Sequence, residues 1–353
     1  MKRDDTSNQR SHLKWFQRIA IGSILLVALL AIVGALLPRH AHVERSIDIG
    51  APPANVFTVL NGFHVFNRWS PWAGLDPDTR YRYTGPWSGV GARMDWQSSG
   101  LQVGAGSESI TASEPYHHIA LELDFEDAGK ADAAFELSAI PDGTHVVWSF
   151  DTDFGWNLLA RYGGVLFDRR IGADYDSGLK NLKRFMESLP KTDLADADIQ
   201  LLQMQPASIV YVSGKTTTDG RDVANAEDKA YAQVQAFIAA HKLKVTGAPM
   251  AVTRVWDPAH NDYEFDAAVP AVWDTLTVSA NSPVKLGQTL GGAVVLATYT
   301  GPYSGTGQVY DQITIWLAAN GLTATGLTWE QYMNDPADTP DAKLVTKIYT
   351  PVK

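Results

Sequence analysis

The chain has no cysteine among its 353 residues. That absence removes disulfides, thiol nucleophiles, cysteine-ligated zinc and iron–sulfur clusters together. It leaves the compartment open, because an oxidising space also tolerates a chain without thiols. Charge is sparse as well, at 19% of residues, and it is unbalanced: 29 Lys and Arg against 39 Asp and Glu give a net charge of −10. Such a chain lacks the positive field that nucleic-acid binding uses, so no nucleic acid is expected as a partner. The nine histidines form no H-E-x-x-H or other ligand spacing, and His40-x-His42 reads as a solvated pair. Gly104-x-Gly106 lacks the third glycine of a dinucleotide loop, and neither a Walker A sequence nor G-x-S-x-G occurs. No metal, cofactor or catalytic residue emerges from spacing. What is plentiful is aromatic: 11 Trp, 13 Tyr and 12 Phe, the usual lining of small-molecule pockets. The length suits two domains with an appendage.

The appendage is N-terminal. Residues 19–37, IAIGSILLVALLAIVGALL, carry no charge and no proline. At about 1.5 Å per residue they nearly cross a hydrocarbon core of ~30 Å. Lys2, Arg3, Arg10, Lys14 and Arg18 precede them, opposed by Asp4 and Asp5. The positive-inside rule puts residues 1–18 in the cytoplasm and the rest outside, with Trp15 and Phe16 at the headgroup belt. The competing reading is a cleaved signal peptide. The run is long for one, and LLPRHAHVER after it holds no A-x-A site. A bacterial inner-membrane location with a single pass is expected.

The next stretch, 42–190, shows period-two patterning. VERSIDI (43–49) alternates, and APPANVFTVL starts a helix. RYRY (80–83) and VGARMDW (90–96) read as strands. Ile119, Leu121, Leu123 and Phe125, then Phe135 and Leu137, then Val146, Trp148 and Phe150 alternate with polar residues. Turns at Asp127–Gly129 and Pro141–Gly143 predict antiparallel hairpins. After Gly155 the period changes. Leu158, Tyr162, Val165, Leu166, Ile171, Tyr175, Leu179, Leu182 and Met186 predict one long amphipathic helix, weakened by Gly163, Gly164, Gly172 and Gly178.

That order of elements, with Phe66-Asn67-Arg68-Trp69-Ser70-Pro71-Trp72, Tyr83-Thr84-Gly85-Pro86 and Gly89-Val90-Gly91, resembles the START/Bet v 1-like superfamily, in particular its polyketide cyclase/dehydrase-type members. The resemblance implies a curved sheet gripping a long helix around a cavity for an apolar ligand. Trp69, Trp72, Trp87, Trp96 and Trp148 are candidates to line it; ordinary core packing is the alternative for each. Arg82, Arg93, Glu108 and His145 read as solvated strand-face residues.

PKTDLADADIQLLQMQP (190–206) reads as a linker, with Ile199, Leu201 and Leu202 as a possible docking strand. Beyond it a strand–helix–strand–strand pattern occurs twice. SIVYV (208–212), a helix near 222–241 with Ala230, Val234, Phe237 and Ile238 on its stripe, MAVTRVW and DYEFDAAV form the first. AVVLATY (293–299), a helix near 304–319 with Ile313, Trp316 and Leu317, a loop with Trp329-Glu330-Gln331-Tyr332 and a last strand AKLVTKIY form the second. Two such halves predict pseudo-symmetry with a groove between them.

Tyr263-Glu264-Phe265 running into Ala268-Val269-Pro270, Tyr299-Thr300-Gly301-Pro302-Tyr303, Trp329-Glu330-Gln331-Tyr332 with Asn334-Asp335-Pro336, and Leu344 through Val352 resemble the GyrI-like small-molecule-binding domain, also the effector-binding domain of AraC- and MerR-type regulators. The resemblance implies that Glu330 lies at the bottom of an aromatic pocket for cations. Tyr263, Phe265, Tyr299, Tyr303, Trp316, Trp329 and Tyr332 are its candidate walls. A carboxylate among ring faces attracts a delocalised cation.

The fold class expected is therefore α+β: an N-terminal transmembrane helix, a helix-grip domain over 42–190, a linker over 191–206, and a pseudo-symmetric two-repeat GyrI-like domain over 207–353. The function expected is binding of a small hydrophobic, aromatic or cationic molecule in sensing, sequestration or detoxification. A hydrolase using Glu330, a cyclase- or hydratase-like activity in the first domain, and a partner-docking protein with filled cavities are the alternatives.

Overall fold

The computed structural model describes residues 5–100, 103–126 and 129–353, with side chains along the first helix given at Trp15 and from Arg18 onward. The side chains of Lys2, Arg3, Asp4, Asp5, Arg10, Lys14 and Phe16, and the Asp127 turn position, lie outside the described residues. The chain divides into two compact units, Met1–Pro53 with Leu60–Phe185, and Ala54–Val59 with Met186–Lys353.

In the first unit, α1 (Asp5–Leu36) is one unbroken helix with no proline to interrupt it. Its stretch Arg18–Leu36 is long and apolar enough to cross a membrane. After it come β1 (His40–Ile49), α2 (Pro53–Leu60), whose Ala54–Val59 belong to the second unit, α3 (Phe66–Trp69), β2 (Arg80–Thr84), β3 (Arg93–Gln97), β4 (Ala105–Glu114), β5 (His118–Asp124), β6 (Lys130–Ile140), β7 (Gly143–Asp153), α4 (Leu158–Gly164) and α5 (Phe167–Glu187). The seven strands form one antiparallel sheet in the order β1-β7-β6-β5-β4-β3-β2. Alternation sends Ile119, Leu121 and Leu123 of β5, Phe135 and Leu137 of β6, and Val146, Trp148 and Phe150 of β7 into the core. Tyr175, Leu179, Leu182 and Met186 recur at four, three and four on α5 and are buried with them. Gly178 is part of that face: a Cβ there would stand 2.9 Å from the Trp148 ring and 3.0 Å from Pro71.

Two expectations are corrected here. Residues 90–92 form a turn ahead of β3 rather than its first residues. The long helix after Gly155 is two helices, broken behind the Gly163–Gly164 pair, where helix propensity is lowest. Asn157 caps α4 by accepting from the Ala160 N–H at 3.1 Å. Val165 and Leu166, expected on the buried stripe, are exposed.

The second unit contains β8 (Asp198–Met204), β9 (Ser208–Thr216), α6 (Gly220–His241), β10 (Lys244–Val245), β11 (Met250–Asp257), β12 (Asp262–Val272), β13 (Val284–Gln288), β14 (Gly292–Thr300), α7 (Thr306–Asn320), β15 (Trp329–Tyr332) and β16 (Val345–Pro351). The main sheet runs β13-β9-β12-β11-β15-β16-β14-β8. Its middle six strands read first-third-second, then second-third-first, of the two strand–helix–strand–strand repeats. That is the order a two-fold axis between β11 and β15 produces. The stretch 329–332, expected as a loop, is the seam strand itself. Ile199, Leu201 and Leu202 dock as β8 on β14. Lys242 ends α6 and Gly321 ends α7 in the left-handed conformation.

Leu182 is fully buried between α5 and the sheet. Leu182→Ala should destabilise the first unit by about 2–5 kcal/mol, read as a lowered melting temperature by circular dichroism. A change below about 0.5 kcal/mol would contradict this packing.

Candidate functional site

The seam sets the site. Met250, Ala251 and Val252 of β11 pair with Gln331, Glu330 and Trp329 of β15. Strand alternation then sends Glu330 and Tyr332 to one face and Trp329 and Gln331 to the other. On the first face lie Tyr263 and Phe265 of β12 with Ala230 and Val234 of α6, and Ile348 with Val309 and Ile313 of α7. On the second face Trp329 stacks on Tyr349 at 5.1 Å, among Ile209, Met250, Val294 and Leu296.

A second carboxylate reaches the first face from α6. Glu227 is 9% exposed. Its Oε1 accepts from the Tyr263 hydroxyl at 3.0 Å and its Oε2 from the Tyr332 hydroxyl at 3.4 Å. The Tyr310 hydroxyl of α7 donates to Glu330 Oε1 at 2.7 Å. The Tyr332 hydroxyl also faces Glu330. Tyr303, at the turn before α7, meets Tyr332 edge-on at 5.3 Å. Tyr231 stands one turn beyond Glu227 on α6, and its buried hydroxyl has no hydrogen-bond partner. Two acids and five phenols thus converge from α6, β12, the turn, α7 and β15.

Burial raises both carboxyls. Glu227 is pushed up to about 7, with the Glu330 charge adding to the rise and the Tyr263 and Tyr332 hydroxyls opposing it. Glu330 is raised by burial and pulled back by Tyr310 and Tyr332. The phenols of Tyr231, Tyr263, Tyr303, Tyr310 and Tyr332 are all raised by burial first, then by the two acids. Among the described residues no Lys, Arg or His forms an ion pair with Glu227 or Glu330, and no group of three metal-ligating side chains occurs.

Of the residues picked from sequence, Glu330, Tyr332, Tyr263 and Tyr303 come together. Trp329 does not: it faces the opposite side of the sheet. Phe265 is fully buried core, its ring filling the space over Gly214. Tyr299 packs with the α7 cluster and its hydroxyl abuts Gly301 and Gly305. Trp316 lies six residues beyond Tyr310, about 120° round the helix. Glu227, Tyr231 and Tyr310 were missed. Their signal was present: Glu227 lies three residues before Ala230, and Tyr310 three before Ile313, on apolar stripes already recognised.

The first unit holds an aromatic cluster of its own. Trp148 stacks on Tyr175 at 3.6 Å and meets Trp69 and Trp72 edge-on at 5.6 and 5.9 Å. The indole N–H groups of Trp69 and Trp148 are buried and unpartnered, while Trp72 donates to Asp174 Oδ2 at 3.2 Å. Trp96 stands apart, donating to the Val103 carbonyl and packing near Phe125. Trp87 stacks on His64 at 3.7 Å in a cleft of about 190 Å³ that Tyr83 and Arg93 also line. Arg82 and Arg93 pair with Asp95, and His145 with Asp48, on the outer face. Glu108 corrects its expectation: it is 6% exposed, on the same interior face as its strand partners Met94 and Leu123. Burial alone pushes its carboxyl up to about 7.

The folded state therefore keeps a proton on Glu108 that the unfolded chain releases near pH 4.5. Its contribution is greatest below pH 4.5 and is lost as pH rises to about 7, amounting to at most about 3 kcal/mol. Glu108→Gln should flatten this fall in stability of the first unit when melting is followed from pH 5 to 8. An unchanged slope would place the carboxyl in water.

The chain matches two family models, one after the other. Residues 40–187 match that of the polyketide cyclase/dehydrase and lipid transport family. Residues 197–353 match that of the GyrI-like small molecule binding domain. Among curated proteins none matches. Solved structures similar to part of the chain include the EcmrR C-terminal domain, at 14% identity, 45% of this chain, 98% of that one and TM-score 0.39. A hydrolase from Listeria innocua gives 18% identity, 44% and 91% coverage and TM-score 0.34. A protein from Chromobacterium violaceum gives 15%, 42%, 97% and 0.32. The chain thus carries a polyketide cyclase/dehydrase-type domain followed by a GyrI-like small-molecule-binding domain.

Proposed function

We propose that this is a membrane-anchored small-molecule-binding protein whose second domain takes an aromatic organic cation between Glu227 and Glu330. One observation carries the reading. Two largely buried carboxyls share a nest of tyrosines, and no cationic side chain among the described residues pairs with either. A buried carboxylate is costly without a counter-charge. None of the described residues supplies that counter-charge, and an incoming cation would. Ring faces of Tyr303 and Tyr332 add attraction for a flat or quaternary cation, ~0.5–2 kcal/mol each. The unpartnered Tyr231 hydroxyl supplies a further polar contact. The first domain takes an apolar ligand against Trp69, Trp72 and Trp148, whose two free indole N–H groups suit a carbonyl or hydroxyl on it. The stretch Arg18–Leu36 anchors both domains on the outer face of a bacterial inner membrane, where they sense, sequester or detoxify the ligand.

The test is calorimetric titration of benzyltrimethylammonium into the full chain held in phosphatidylcholine nanodiscs, with empty discs as control. The cation should bind and benzyl alcohol should not. Glu330→Gln should weaken binding at least tenfold, which is about 1.4 kcal/mol. Affinity should rise as pH increases from 6 to 8, because Glu227, raised to about 7, then ionises. Equal binding by wild type and variant, or no binding of any cation, would overturn the reading.

A further inference from the structure

The α4 segment is apolar on a side that its own domain does not use. Trp156 and Leu159 are 84% exposed, Val165 62% and Leu166 51%. From Trp156 to Phe167 the sequence WNLLARYGGVLF holds a single charge, Arg161. That charge is buried, and its guanidinium donates to backbone carbonyls: to Gly155, to Ala35 at 3.1 Å and to Leu37 at 3.4 Å. The last carbonyls of a helix lack partners within it and carry the negative end of its dipole. Arg161 therefore caps the C-terminal end of α1. Deeper along α1, the Tyr162 hydroxyl donates to the Leu30 carbonyl at 2.5 Å. Gly34 is the one buried residue between Arg18 and Leu36. A Cβ there would stand 3.1 Å from both Leu158 and Tyr162, so the glycine allows the close approach.

These bonds fix how deep α4 sits. Leu30 precedes Leu36 by six residues, about 9 Å along the axis. Whatever medium surrounds the last two turns of α1 surrounds α4 too. The Leu36 side chain beside it is 81% exposed. We propose that α4 and its flanks, Trp156 to Leu166, form a membrane-seated foot. Its exposed face lies in the leaflet from which the C-terminal end of α1 emerges, and it holds the helix-grip domain on the lipid surface. The chemistry suits that place. The one charge is spent on carbonyls, a tryptophan stands at the rim, and apolar side chains face outward in a patch that water disfavours. The proposal rests on the reading of α1 as a membrane span.

The absence of native cysteine makes the test clean, since each introduced thiol reports one position. Leu159→Cys, Leu166→Cys, Ile24→Cys and Asp132→Cys are spin-labelled one at a time in the full chain in phosphatidylcholine nanodiscs. Power saturation compares access by oxygen with access by a water-soluble nickel chelate. Positions 24, 159 and 166 should favour oxygen, and position 132, exposed on β6, should favour nickel. Adding Arg161→Ala should move position 159 toward nickel and leave position 24 unchanged. If 24 favours oxygen while 159 and 166 favour nickel, the foot is overturned and the span stands. If 24 itself favours nickel, both fall. If 159 and 166 are shielded from both reagents, a protein surface covers them and the lipid assignment is overturned.

Discussion

The antiparallel register between β11 and β15 is the constraint on which the second unit depends. Three residue pairs join two half-sheets, and the same three pairs decide which side chains meet. With Ala251 opposite Glu330, the carboxyl points to the helix face, where α6 and α7 deliver Glu227, Tyr231 and Tyr310. A slip of one residue would send Trp329 there and bury Glu330 among Ile209, Val294 and Leu296. Placing the site at the seam also explains its composition: each half contributes one carboxylate, one from its helix and one from its strand.

Much of this was legible in the sequence, for physical reasons that differ by element. Period-two alternation marks β5, β6 and β7 because each has one wet face and one buried face. The α5 stripe is equally plain because its outer face is charged. The seam strand was hidden: WEQY is four residues long, with Trp329 buried and the other three half-buried, so it shows no alternation to read. The break between α4 and α5 was hidden in a different way. Val165 and Leu166 continue the apolar spacing, but the periodicity cannot tell which partner an apolar residue faces. The site was half legible. Glu330 and its neighbours stand in a contiguous stretch that resembles a family motif. Glu227 sits on a helix far from any such stretch and Tyr310 two turns beyond the Tyr299–Tyr303 stretch, and only the fold brings them to Glu330.

Glu108 shows the opposite failure. Its neighbours Ser107 and Ser109 make β4 look polar, and a carboxylate in a polar strand is ordinarily solvated. The strand turns it inward because Met94 and Leu123, its partners on either side, are core residues. Register overrides local polarity.

Three of the buried ionisable centres among the described residues resolve the same electrostatic problem in three ways. Glu108 sits among apolar partners, and burial raises its carboxyl to about 7, so it holds its proton until the solution is near neutral. Arg161 cannot lose its charge, and it is surrounded by backbone carbonyls that need donors in any case. Glu227, raised to about 7 like Glu108, and Glu330, also raised, differ in standing together. Tyrosine hydroxyls hydrogen-bond them but carry no opposing charge, and each acid raises the other's cost of ionising. The first two centres are complete as folded. The third lacks a counter-charge among the described residues, and the proposed cation would supply one. The tyrosines fit the same logic. A phenol can donate to a carboxylate when the site is empty and turn its ring face to a cation when it is filled, so one residue type serves both states without leaving a buried acid unpartnered.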